Sequence, residues 1–126
     1  WINGSGGGPL DPSLAFGVVN DGFSGGDHCS LYTLAHEMGH VLGASHDRQH
    51  PTLPGVFDYA YGYGVSGKFG DIMSYFTPTV GVYATPGLNL CGGGPCGIPV
   101  GQPDPSDVVQ TFENTAPVVA SFGENL

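Results

Sequence analysis

The chain has 126 residues, enough for one domain around a single core. Two Lys and Arg against eleven Asp and Glu leave a formal charge of −9, so neither nucleic acid nor an anionic membrane is an expected partner. Gly 23 and Pro 11 imply a loop-rich protein, 40% hydrophobic content argues against disorder, and no apolar run nears the 18 residues of a membrane-spanning helix.

Trp1-Ile2 reads as the end of a strand, and residues 3–12, rich in Gly and Pro, as an exposed loop. Leu14 to Asn20 predicts a buried strand closed by the Asn20-Asp21-Gly22 turn. A second loop follows, in which His28 reads as an exposed residue rather than a ligand. Next, Leu31, Leu34, Ala35, Met38, Val41 and Leu42 recur at helical spacing and predict a helix packed along one face. Ser30 or Asp27 is its expected cap. Gly39 inside this helix costs up to about 1 kcal/mol relative to Ala, which implies another segment in close contact there.

The same helix carries His36-Glu37-Met38-Gly39-His40, and His46-Asp47 follows Gly43. From the chain's own composition, HExxHxxGxxH arises by chance roughly three times in 100,000. On a helix, residues four apart share a face, so His36 and His40 can bind one zinc. Gly43 lies where the helix must stop for His46 to return as third ligand, and glycine takes the left-handed conformation such a stop uses. Glu37, beside the ligands but not among them, is placed to act on a water as general base. Three protein ligands with one open position distinguish a catalytic zinc from a closed structural one.

Residues 47–68 read as a loop rich in aromatics, with Tyr59–Val65 as a short irregular strand and His50 as a surface residue. Residues 70–76 predict a tight turn before Thr77-Pro78, and 80–101 an irregular stretch. Cys91 and Cys96 bracket Gly92-Gly93-Gly94-Pro95 and can close a small disulfide loop, leaving Cys29 over; pairing of Cys29 with either is the alternative. None has the CxxC spacing of a zinc site. A disulfide implies an oxidising, secreted setting. Asp104 as cap, with Pro105 at the first position, predicts a final helix over 105–121. Its apolar residues Val108, Val109, Phe112, Ala116, Val119 and Ala120 keep one phase across Pro117, where a kink is expected.

HExxHxxGxxHD, with a downstream methionine in a turn, resembles the metzincin metallopeptidases in their reprolysin variant. Phe16-Gly17-Val18-Val19, Asp71-Ile72-Met73-Ser74-Tyr75 and Val118-Val119-Ala120-Ser121-Phe122 resemble bacterial secreted proteases of this kind, the peptidyl-Asp metalloendopeptidase group above all. The resemblance implies His36, His40 and His46 as zinc ligands and Glu37 as catalytic base. It further implies Met73 as an apolar floor beneath the metal, Tyr75 as the tyrosine beside it, and Asp47 as the anchor of the loop after the third ligand. It also implies a long N-terminal half holding most of a twisted sheet, whereas 35 residues precede His36 here. Residues 1–126 are therefore expected to form a single α+β unit, the C-terminal part of a catalytic domain.

The expected function is a zinc endopeptidase acting on peptide or protein substrates. The alternative is a zinc-binding interaction module that has lost hydrolysis. One catalytic zinc is the expected cofactor; calcium is permitted by the acidity but marked by no motif, and oligomeric state is left open.

Overall fold

A computed structural model describes residues 1–19, 31–50 and 53–125. It is a small α+β unit of two helices and one two-stranded hairpin, joined by long loops and three short 3-10 turns. Helix α1 spans Thr33–Val41, and helix α2 spans Val108–Ser121. Strands β1 (Gly64–Val65) and β2 (Phe69–Gly70) pair antiparallel. Among the described residues, no helix is long and apolar enough to cross a membrane.

Two clusters form the core. One joins Ala44, Ile72, Met73, Ala84 and Val108, with Tyr32, Ala35, Tyr63, Tyr83 and Phe112 packed against it. The other gathers Phe69, Cys91 and Cys96 beneath the irregular 80–101 stretch. Cys91 and Cys96 are joined as a disulfide, so the small-loop alternative holds for that pair. Cys29, His28 and the expected caps Ser30 and Asp27 lie outside the described residues. Tyr32 occupies the N-cap of α1 without a side-chain bond.

Several expectations are corrected. The strand expected over 14–20 does not form over its described part, 14–19: Leu14 ends a 3-10 turn, 15–19 have no strand partner among the described residues, and Val18 is 79% exposed. Among the described residues no neighbouring strand offers it a ladder. The Asn20-Asp21-Gly22 turn lies outside them. Trp1-Ile2 is not a strand either. Ile2 and Asn3 are buried, and the Asn3 N–H donates to the His40 carbonyl at 3.1 Å. The apolar stripe of α1 is packed only in part: Val41 is buried and Ala35 packs on the core, whereas Leu31, Leu34 and Met38 are 88%, 63% and 46% exposed. The packed face is set instead by Met73 against Gly39 and by the Tyr83 hydroxyl on the Ala35 carbonyl. The Tyr59–Val65 strand shrinks to β1 and a single parallel bridge between Tyr61 and Ser45.

The final helix starts three residues later than its turn chemistry suggested. Asp107 is the N-cap, accepting from the Gln110 N–H at 3.1 Å, while Asp104 sits at φ 53° in the preceding turn. Tertiary pairing explains the shift. Ser106 bridges Ile98, and the Asp107 N–H donates to the Tyr59 carbonyl, so this backbone is committed before a helix can begin. The helix then runs unbroken past Pro117. Thr115 donates its hydroxyl to the Leu42 carbonyl at 2.8 Å, satisfying one of the acceptors that the end of α1 leaves open.

Candidate metal centre

The helical period brings His36 and His40 to one side of α1, and the end of the helix delivers His46. Gly43 adopts φ +89°, and a Cβ there would collide with Val56. Only glycine meets both conditions. Beyond it, Ser45 is held against Tyr61 by two backbone bonds, from its N–H to the Ala60 carbonyl and from the Gly62 N–H to its carbonyl. His46 is thereby turned back toward α1. The three Nε2 atoms lie 3.0, 3.1 and 3.1 Å apart.

Such contacts are not hydrogen bonds. His36 Nδ1 donates to the Ile72 carbonyl at 2.7 Å, and His40 Nδ1 to the Ala44 carbonyl at 2.8 Å. A carbonyl only accepts, so Nδ1 carries a proton in both rings, and the matching neutral tautomer presents the Nε2 lone pair. Lone pairs at this distance repel unless a cation lies among them. Burial, before all else, lowers the pKa of His40, and with the neighbouring imidazoles it pushes His46 down to about 4. Both therefore stay neutral at pH 7, the form a metal ligand needs. Three convergent imidazoles, two of them with the remaining nitrogen tied to a carbonyl, fit a zinc ion.

Glu37 lines a cleft of about 310 Å³ together with Tyr32, His36, Ile72, Tyr75 and Thr79. Tyr75 is 56% exposed; its hydroxyl is 3.2 Å from His46 Nε2, and the two ring centroids are 4.4 Å apart. Met73 is fully buried. Residues 71–74 form a turn closed by the Ser74 N–H on the Asp71 carbonyl, and the Met73 N–H donates to the Asp71 carboxyl at 3.0 Å.

Asp47 is buried and accepts from the Tyr75 N–H at 2.9 Å, the Ser74 hydroxyl at 3.0 Å and the Gln49 N–H at 3.1 Å. Burial opposes its charge, but these bonds prevail and its pKa is lowered. His50, read from the sequence as a mere surface residue, is exposed yet donates Nδ1 to Asp47 at 2.8 Å. Its ring also meets Tyr75 and Phe76 edge-on. The three-residue spacing from Asp47 was the available signal. The carbonyls of Ile72 and Ala44, which orient two of the imidazoles, carried no signal at all, because backbone acceptors have no residue identity.

A profile of the metallo-peptidase family M12B, reprolysin-like, matches residues 1–100. A Peptidyl-Asp metalloendopeptidase of Pseudomonas aeruginosa is 28% identical over 114 residues, covering 77% of this chain and 18% of that protein. A protein of the same name from Xanthomonas campestris pv. campestris is 27% identical over 95 residues, covering 72% of this chain and 22% of its own. The chain thus spans about a fifth of the length of these curated relatives. No solved structure matches it.

Proposed function

The chain belongs to the reprolysin-like metallo-peptidase family M12B, and from that premise we propose that it carries the catalytic zinc site of an endopeptidase acting on peptide or protein substrates. The convergence of three Nε2 atoms within 3.0–3.1 Å, two of them with the proton held on Nδ1, carries the reading. His36, His40 and His46 would hold the zinc, which when bound would supply Lewis acidity toward a water and a peptide carbonyl. Glu37 takes a proton from the attacking water and returns it to the leaving amine. Tyr75 donates its hydroxyl to the oxyanion that develops on the carbonyl. Met73 gives the site an apolar floor, and Asp47 anchors the loop after His46 to the turn bearing Tyr75. The printed name of both relatives specifies peptidyl-Asp bonds, and we carry an acidic preference over as part of the proposal. The Cys91–Cys96 disulfide fits a secreted protein.

The test is hydrolysis of a quenched peptide library by the zinc-loaded chain, with metal content measured alongside. About one zinc per chain is expected, and activity is lost with a chelator. Glu37→Gln should keep the zinc while turnover falls by about 10²–10⁴. A folded sample that takes up no zinc overturns the metal site; zinc uptake without hydrolysis leaves the interaction module.

A further inference from the structure

A cavity of about 390 Å³ lies beside the metal centre, with Asp47, Arg48, Gly64, Phe76 and Ser106 in its walls. Consecutive residues of one segment line the two: Ser74 and Tyr75 the Glu37 cleft, and Phe76 the cavity. The chain has two Lys and Arg side chains, Arg48 and Lys68. Lys68 is exposed in the turn joining β1 to β2. Arg48 stands in the cavity wall and is held rigidly. Its Nη2 donates to the Pro105 carbonyl at 2.8 Å and to the Asp58 carbonyl, and its guanidinium lies 4.0 Å over the Tyr61 ring.

None of those partners is an anion. Among the described residues Arg48 makes no ion pair, and its buried Nε has no hydrogen-bond partner. A half-buried cation without a counterion is costly unless an anion reaches it. The Asp47 carboxylate in the same wall is committed to Tyr75, Ser74, Gln49 and His50. Asp104, also in the wall, is exposed. The net charge of −9 opposes an acidic ligand from afar. That repulsion is screened beyond about 8–10 Å at physiological salt, so the nearest charge decides inside the cavity.

We infer that this cavity receives an acidic side chain of the peptide substrate, with Arg48 as the cation that selects it. The inference rests on the endopeptidase reading above. With Nη2 committed to two carbonyls and Nε buried, Nη1 is the nitrogen left to meet a carboxylate, through a charge-assisted bond stronger than the one a carboxamide makes.

Binding to the zinc-loaded Glu37→Gln chain tests the inference without turnover, using two peptides that differ only in Asp against Asn, followed by calorimetry. The Asp peptide should bind about tenfold more tightly. Arg48→Gln in the same background should bring the two within about twofold. Arg48→Lys keeps the charge but loses the carbonyl bonds and ring stacking that place it, and should lower the ratio several-fold without abolishing it. Lys68→Gln should leave the ratio in place. An Asp preference absent from the parent chain overturns the inference, as does one that survives Arg48→Gln or falls with Lys68→Gln. Should Arg48→Gln fail to fold, an unchanged ratio in Arg48→Lys overturns it equally. Failure of the Glu37→Gln chain to bind either peptide, or of the chain with Glu37 intact to cleave either, overturns the endopeptidase reading itself, whereas binding without preference overturns only the role of Arg48.

Discussion

The sulfur of Met73 occupies the space into which a side chain at Gly39 would project. A Cβ built on Gly39 would collide with Met73 Sδ and lie 3.0 Å from its Cε. Met73 is fully buried and has little room to swing away. This one contact joins the middle of α1 to the 71–74 turn that leads into Tyr75.

Gly39→Ala sets two effects against each other. Helix propensity favours alanine by up to about 1 kcal/mol, and overpacking a buried contact costs about 1–3 kcal/mol. The clash should win, with a net loss of roughly 1 kcal/mol in urea unfolding of the zinc-loaded chain. In a Met73→Ala background the sign should reverse, because only the propensity gain remains. Equal effects in both backgrounds would show that the two residues are not coupled.

Tyr75→Phe deletes a hydroxyl 3.2 Å from His46 Nε2 and keeps the ring. As an oxyanion donor it is worth about 2.7–4 kcal/mol in the transition state. Accordingly kcat should fall by roughly 10²-fold while KM, zinc content and stability hold. A loss below about threefold would reduce Tyr75 to a packing residue.

Asp71 provides a pH test. Burial pushes its carboxyl up to about 8, although hydrogen bonds to the backbone oppose the shift. The unfolded group titrates near 3.8, so between these values the folded state holds the proton that the unfolded state has released. The Asp71 contribution is therefore fully present below about pH 4 and is lost as pH rises toward 8. His40 and His46, with lowered values, act with the opposite sign in metal-free protein, so the informative quantity is a difference. Asp71→Asn keeps an oxygen for the Met73 N–H and carries no titrating proton. Its stability relative to the parent should climb steadily from pH 5 to 8, read from thermal midpoints. A constant difference would mean that the group titrates alike in both states.

The apolar stripe of α1 holds a contrast. Leu34 is 63% exposed and Val41 is 4% exposed. Leu34→Ser should change stability by no more than about 0.5 kcal/mol, as surface substitutions do. Val41→Ala removes buried methyls and should cost clearly more, on the order of 1–3 kcal/mol. Similar losses at both sites would mean that Leu34 packs against something in solution.

The convergence of the three imidazoles was legible in the order of residues because it depends on local geometry. Helical rotation alone aligns His36 with His40, and a glycine at position 43 alone permits the φ of +89° that ends the helix and returns His46. The small Cys91–Cys96 loop needed nothing beyond the flexible residues between its cysteines. Burial is not local, and there the one-dimensional pattern misled. Leu31, Leu34 and Met38 lie at core-like spacing, yet the buried side of α1 was chosen by Met73, Tyr83 and the Asn3 backbone, which approach it from distant parts of the chain. Asp104 and Asp107 are equally good caps by residue type. The pairing of Ser106 with Ile98, and of Asp107 with Tyr59, decided between them. Tyr75 comes to stand beside His46, and Arg48 comes to face a cavity without a counterion, only through contacts that cross the fold. Spacing along one element sets which ligands share a face; what covers that face depends on the summed packing of segments with no fixed spacing between them.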